Sequence, residues 1–212
     1  MRRLIVFVLV AVVSCSALLA GGPEAASPVG IQGAVGGKSV PMKVDPSTYA
    51  QTTIDYSHYE IHAGSHFKGG YSNQDLDENE VMSIVFMVPA GTKYSHWTLT
   101  AQSTGGVTVN VYEGATLTAT GTAVTVWNRN RNSTTVNTMT IGHTPTVTAS
   151  GTKMVQRWIG GTGFKESISG EHRGDAEFVL KADTYYLVEA IADADNTKVA
   201  IGGDWYEHTD KN

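Results

Sequence analysis

From residue 54 onward, short apolar runs alternate with turn-forming residues, and this pattern predicts an all-β domain. The most apolar run, EVMSIVFMVP, alternates only weakly, which is typical of a central strand covered on both faces. In VTVNVYEG, Val107, Val109 and Val111 alternate with polar positions, so one face of this strand is expected to be buried. HWTLTAQS precedes it across Gly105-Gly106, which predicts a hairpin between the two strands.

Further segments have the composition of strands, namely TAVTVWNRN, KMVQRWIGG, AEFVLKADT, YYLVEAIAD and VAIGGDWYEH. Residues 181–184, KADT, predict a tight turn between two of them. No amphipathic helix is predicted after the N-terminus. We therefore predict an antiparallel two-sheet β-sandwich, jelly-roll-like, with an extended N-terminal arm. The pattern does not determine the order of the strands.

Residues 1–20 follow a different pattern, in which MRR precedes the apolar run LIVFVLVAVV and the small residues SCSALLA. This layout is typical of an export signal, and the apolar run is short for a transmembrane helix. VVSC, ending at Cys15, also resembles a bacterial lipobox, whose cysteine becomes lipidated and anchors the chain to a membrane. Three interpretations stay open: a lipoprotein signal, an ordinary cleaved signal, or an apolar segment that is not processed.

Residues 21–53 are rich in Gly, Pro, Ala, Ser and Thr, so we expect a flexible arm that cannot form its own core. The β-sandwich domain is then predicted over residues 54–212. Part of the arm, KSVPMKVD, has enough apolar character to add a strand to a neighbour.

Composition narrows the possible partners and stabilising bonds. The 212 residues carry a net charge of -5, which gives no global attraction to nucleic acid. Charged residues make up only 17% and glycines number 23, as suits strands joined by turns. Because Cys15 is the only cysteine, neither an internal disulfide nor a cysteine-based zinc cluster can form.

His58, His62 and His66 lie at intervals of four, which on a helix would place three imidazoles on one face at a zinc-binding spacing. The aromatic and β-branched neighbours, and the turn-like residues 63–65, favour a strand instead. The zinc-protease pattern is also absent, because HYEIH places Glu60 one position too late. We therefore predict no metal ion and no cofactor; these three histidines are the candidate ligands if a metal binds.

Two polar segments are candidate contact sites, WNRNRNSTT and the loop of residues 160–174, GGTGFKESISGEHRG, which contains Phe164. WNRNRNSTT has a composition able to grip carboxylates, phosphates or sugars, although asparagines also form ordered loops. We predict a possible subunit contact formed by Asn128, Arg129, Asn130, Arg131, Asn132 and Phe164.

A further polar segment, NQDLDENE, supplies four carboxylates that could ligate calcium but lacks the spacing of an EF-hand loop, so we expect a solvated turn. No nucleophile elbow or P-loop motif is present. No catalytic residue is predicted, and we expect the chain not to be an enzyme.

Three segments, IDYSHYEIHAGSHF, VYEGATLTATGTAVTVWNRNRNS and the terminal WYEHTDKN, together resemble a family of tailed-bacteriophage virion proteins. The resemblance covers roughly residues 38–212, and NRNRNS and WYEH are its most specific elements. It implies a small β-rich structural protein, of the capsid-decoration or cement type, that is present in many copies on a virion. It also implies that other virion subunits, the major capsid protein or further copies of this chain, are the partners.

The signal-like start supports an alternative, a secreted or lipid-anchored β-sandwich of a bacterial cell envelope that binds glycans. Trp97, Trp127, Trp158 and Trp205 would be its stacking groups, although tryptophans in a sandwich often belong to the core. A third hypothesis, a metal-dependent hydrolase, depends on the three histidines alone.

Overall fold

The computed structural model describes residues 32–35, 38–41, 55–160 and 176–209. The chain divides into two compact units, Met1–Thr53 and Ile54–Asn212. In the first unit, β1 (Gln32–Val35) pairs antiparallel with β2 (Lys38–Pro41), within the predicted arm. The signal-like segment with Cys15 lies outside the described residues, as does Phe164.

The second unit begins with a helix, α1 (Tyr56–Ala63), which strands follow in the described part of the unit. Its first strands are β3 (His66–Leu76), β4 (Val81–Val88), β5 (Lys93–Ser103), β6 (Val107–Glu113), β7 (Thr116–Ala119), β8 (Thr122–Ala123) and β9 (Trp127–Asn128). The later strands are β10 (Thr140–His143), β11 (Thr146–Ala149), β12 (Thr152–Ile159), β13 (Phe178–Leu180), β14 (Thr184–Ala192) and β15 (Thr197–Thr209).

These strands form two large antiparallel sheets and one small one. The six-stranded sheet has the order β12-β6-β14-β4-β10-β8, and the five-stranded sheet has the order β13-β5-β15-β3-β9. β7 and β11 form a separate two-stranded sheet within the connection from β6 to β12. When β3, β4, β5, β6, β12, β13, β14 and β15 are numbered one to eight, their orders are 1-8-3-6 and 2-7-4-5. This is the jelly-roll arrangement, so the predicted fold class is confirmed.

The hydrophobic core lies between the two large sheets. Its members alternate along strands of both sheets and include Phe67, Ile84, Phe86, Trp97, Val109, Tyr186, Val188, Ile201 and Trp205. β4 is buried on both faces, because Ile84, Val85 and Phe86 are each at most 1% exposed, as its weak alternation predicted. The alternation of β6 is also confirmed in Val107, Val109 and Val111, which are all buried.

The hairpin predicted across Gly105-Gly106 is wrong. β5 pairs with β13 and β15 in one sheet, whereas β6 pairs with β12 and β14 in the other. The glycines therefore carry the chain from sheet to sheet. A short glycine-containing connection cannot distinguish these two outcomes, because both need the same local bend.

The strand predicted around HYEIH is also wrong, because α1 occupies this segment. Asp55 caps the helix by accepting hydrogen bonds from the backbone N–H groups of Ser57 and His58. Gly64 ends it in a left-handed conformation with φ of 78°, and its N–H donates to Ile61 O. Asp and Gly at these positions are ordinary helix boundary signals.

Candidate functional site

The three segments that carry the family resemblance meet at one corner of the domain. α1 and the start of β3 come from the first segment, β9 from the second, and the end of β15 from the third. β3 lies between β9 and β15 in the five-stranded sheet. We call this region the histidine corner; its polar and aromatic members are His66, His96, Arg129, Glu177, Asp204, Tyr206 and His208.

The buried centre of the histidine corner is an ionic network around His66. His66 Nδ1 lies 3.1 Å from the carbonyl oxygen of Ser57, and Nε2 lies 2.5 Å from Asp204 Oδ1. Arg129 Nη1 lies 3.2 Å from Asp204 Oδ2. His66 is fully buried, so this network joins α1, β3, β15 and the loop after β9 without exposing the imidazole. His66 is therefore separated from the other two candidate metal ligands.

The asparagines of NRNRN hold this loop against α1. Asn128 Nδ2 donates to Gly64 O at 2.7 Å, and Asn130 Nδ2 donates to His62 O at 3.2 Å. The side-chain oxygens of both asparagines also accept backbone N–H groups two residues later in the loop, those of Asn130 and Asn132. The loop is thus an ordered structure that satisfies the C-terminal carbonyls of the helix.

A second polar group lies on the inner side of the same strand end. Glu207 is 2% exposed, and its carboxylate accepts from Trp205 Nε1 at 3.0 Å and from the Met139 N–H at 3.1 Å. It also accepts from the backbone N–H and the hydroxyl of Thr138. Glu207 therefore fixes the chain just before β10 to the end of β15.

The outer face carries an aromatic and histidine stack. The rings of His96 and Tyr206 stack with centroids 4.6 Å apart, and those of His96 and His208 are 4.9 Å apart. Glu177 accepts hydrogen bonds from His96 Nδ1 at 2.7 Å and from the Tyr206 hydroxyl at 2.9 Å. Tyr56 of α1 packs edge-on against Tyr206.

His58 and His62 form a separate pair on α1. Their Nε2 atoms are 3.0 Å apart, and both side chains are exposed. Helical residues four apart share a face, so His58 and His62 lie side by side on α1. His66 does not lie on this face, because the helix ends at Gly64 and His66 is the first residue of β3. Among the described residues, no group of three or more His, Cys, Asp or Glu side chains is arranged to hold a metal ion.

The tryptophans divide between core and surface. Trp97 and Trp205 are buried, whereas Trp127 and Trp158 are 55% and 70% exposed. The Arg131 guanidinium lies over the Trp127 ring, 4.7 Å from its centroid. Trp127 also lines a groove of about 570 Å³, together with hydrogen-bonding side chains of β3 and β5, namely Lys68, Ser72, Thr98, Thr100 and Gln102.

The remaining predicted features are peripheral. The acidic segment completes β3 and then forms an exposed turn, residues 77–80, before β4; Asn79 there has a positive φ of 65°. KADT, residues 181–184, forms the predicted turn between β13 and β14, and Asp183 there has a φ of 53°. In the part of the chain that the structure describes, no helix is long and apolar enough to span a membrane.

Away from the histidine corner, Tyr186, Glu113 and Lys181 form a polar cluster. The Tyr186 hydroxyl donates to Glu113 Oε2 at 2.9 Å, and Lys181 Nζ lies 2.5 Å from Glu113 Oε1. Burial, aided by the nearby Glu113 carboxylate, raises the pKa of Tyr186 to about 12. The hydrogen bond from Lys181 lowers the pKa of Glu113.

Sequence reasoning missed several members of the histidine corner. His96, Glu177 and Asp204 belong to no motif of fixed spacing, because they come from β5, from the chain before β13 and from β15, and Tyr206 and His208 in WYEH were not predicted as site residues. The one available signal was alternation along β15, where Asp204, Tyr206 and His208 share a face. Comparison with protein-family models, curated proteins and solved structures found no match to this chain.

Proposed function

We propose that this chain is a non-enzymatic structural protein of a tailed-bacteriophage particle, a decoration or cement subunit that binds other virion subunits. The jelly-roll architecture supports the proposal, since it is common in viral capsid proteins, although it also occurs in lectins. A chain segment that forms a strand pair before the sandwich also fits, because such an arm can attach a subunit by strand addition.

The observation that carries this proposal is the way the polar residues of the three resembling segments are used. Asn130 Nδ2 donates to His62 O, the Arg129 N–H donates to His66 O, and the Glu207 N–H donates to Ser65 O. These contacts run between the segments themselves. Residues that bond each other in this way serve the architecture of the subunit, which is what a particle component repeated in many copies requires.

The test is mass spectrometry on two fractions of a producing culture, density-purified particles and washed membranes. We expect the protein in the particles, at a copy number comparable with that of other surface subunits, and with residues 1–15 intact. A chain that begins at acylated Cys15 and occurs only in membranes would refute the proposal and identify a surface lipoprotein.

The exposed Trp127 favours one second candidate function, the binding of glycans by a secreted or lipid-anchored protein. A tryptophan beside a groove lined by hydroxyl, amide and amine groups can stack on a sugar ring while polar groups bind its hydroxyls. A glycan array with the purified chain tests this function. Trp127→Ala should abolish any binding, and Trp158→Ala, which removes a still more exposed tryptophan outside the groove lining, is the control.

A further inference from the structure

The histidine corner contains two imidazoles, those of His96 and His208, whose orientations are fixed by an oxygen atom beside Nδ1 of each ring. His96 Nδ1 lies 2.7 Å from Glu177 Oε1, and His208 Nδ1 lies 2.8 Å from the carbonyl oxygen of Thr209. Carboxylate and carbonyl oxygens only accept hydrogen bonds, so in both rings Nδ1 carries the hydrogen and donates it. The lone pair of each neutral ring is therefore on Nε2.

These two Nε2 atoms face each other, 3.0 Å apart. Two lone pairs at this separation repel, and a cation between the rings, either a shared proton or a metal ion, would relieve that repulsion. We propose that the His96–His208 pair binds one divalent transition-metal ion through both Nε2 atoms. The other coordination positions would be filled by water, because the pair lies on the outer face of the five-stranded sheet.

The surroundings of the pair are those of metal-binding histidines. Such histidines usually donate their second ring N–H to a carboxylate or a backbone carbonyl, which fixes the tautomer and raises the basicity of the ligating nitrogen. Glu177 is itself held by the Tyr206 hydroxyl at 2.9 Å, and Tyr206 stacks on the His96 ring. The His96 ring is thus oriented by two independent contacts.

The distance between the two nitrogens predicts which metal is preferred. With metal–nitrogen bonds of about 2.0–2.1 Å, a right-angle chelate has an N···N distance of about 2.9 Å and a tetrahedral one about 3.3–3.4 Å. The observed 3.0 Å is nearer the right-angle value. Right-angle nitrogen sites suit Cu²⁺ and Ni²⁺, whereas Zn²⁺ would require the rings to move apart. Of the first two metals, we expect Cu²⁺ to bind more tightly, because the affinity of divalent metals for nitrogen ligands rises from Ni²⁺ to Cu²⁺.

The His58–His62 pair has the same N···N distance but lacks this support. Among the described residues, no acceptor holds Nδ1 of either ring, so one ring can take the tautomer that donates from Nε2 to the other. A simple hydrogen bond therefore satisfies this pair without a cation. It provides a matched control within the same chain.

The test is titration of the purified full chain, without a polyhistidine tag, with Cu²⁺, Ni²⁺ and Zn²⁺ by calorimetry. We expect one equivalent of Cu²⁺ to bind, with electron paramagnetic resonance splitting from two nitrogens. His208→Ala should remove this binding event, and Glu177→Gln should weaken it about 10-fold through loss of second-shell support. The double variant His58→Ala, His62→Ala should keep the Cu²⁺-binding event that His208→Ala removes.

Two results with the variants would overturn the inference, and so would a parent chain that binds no metal. One is unchanged Cu²⁺ affinity and nitrogen splitting in His208→Ala, and the other is loss of binding only in the His58→Ala, His62→Ala double variant. Circular dichroism of each variant establishes that the β-sheet signal is retained, so that lost binding is not due to unfolding. If the parent chain binds none of the three metals, the cation between the rings is a proton and the metal site does not exist.

Discussion

Replacing Glu207 by Ala should strongly destabilise the domain, because several buried donors depend on this one carboxylate. Trp205 Nε1 and the Met139 N–H lie 3.0 and 3.1 Å from Glu207 Oε1, and both residues are fully buried. Thr138 also donates to Glu207, but it is exposed, so water can replace that partner. The substitution therefore leaves two donors in the interior without an acceptor.

The size of the effect follows from the number of donors lost. A buried donor without a partner costs about 1–3 kcal/mol, so two cost roughly 2–6 kcal/mol, and the lost side-chain volume adds to this. A value of about 4 kcal/mol would lower the Tm by roughly 8–16 °C in a domain of this size. Glu207→Gln keeps the shape and one acceptor oxygen, so it should cost less, about 1–2 kcal/mol, because it loses only charge-assisted bonding.

Urea unfolding followed by tryptophan fluorescence and by circular dichroism measures these free energies. Lys93→Met is the control, since Lys93 Nζ lies 3.8 Å from Glu207 Oε2 and its side chain is 40% exposed. An ion pair of this kind contributes at most about 1 kcal/mol. A loss below about 1 kcal/mol in Glu207→Ala would refute the reasoning, because it would mean that water reaches the donors and that Glu207 does not anchor the chain before β10.

Three further predictions concern other parts of the domain. Burial raises the pKa of Tyr186 to about 12, so its contribution to stability is complete below pH 10 and is lost as the pH rises toward 12. Tyr186→Phe should remove this loss of stability at alkaline pH, measured by urea unfolding, and should remove one high-pH transition from the absorbance titration at 295 nm. Lys181 lowers the pKa of Glu113, so the contribution of Glu113 to stability is present above its unfolded pKa of 4.5 and is lost as the pH falls through its folded pKa. Glu113→Gln should therefore lower the free energy of unfolding by up to about 1 kcal/mol at pH 7 and leave it unchanged in strong acid, and an equal loss at both pH values would contradict this. Gly203→Ala should lower the free energy of unfolding by about 1–3 kcal/mol, because the added alanine Cβ would lie 2.4 Å from Trp97 Nε1. An unchanged Tm in this variant would show that the core can adjust to the methyl group.

Local sequence patterns determined the class of fold and much of the strand content. The apolar run of β4 indicated a strand buried on both faces, and alternation in β6 identified its buried valines, because burial and side-chain period are properties of single segments. The turn at residues 181–184 was also predicted from its own residues. Asp55 and Gly64 carried the boundary signals of α1 as well, but the aromatic composition between them was given more weight.

Strand pairing and the histidine corner were decided only in the tertiary structure. Gly105-Gly106 bends the chain in the same way whether the next strand joins the same sheet or the opposite one, and burial of the two apolar faces against each other selects the second. His66 meets Asp204 across 138 residues, and His96 meets His208 across 112. No short-range spacing encodes such neighbours, because they depend on how the jelly roll places β15 between β5 and β3.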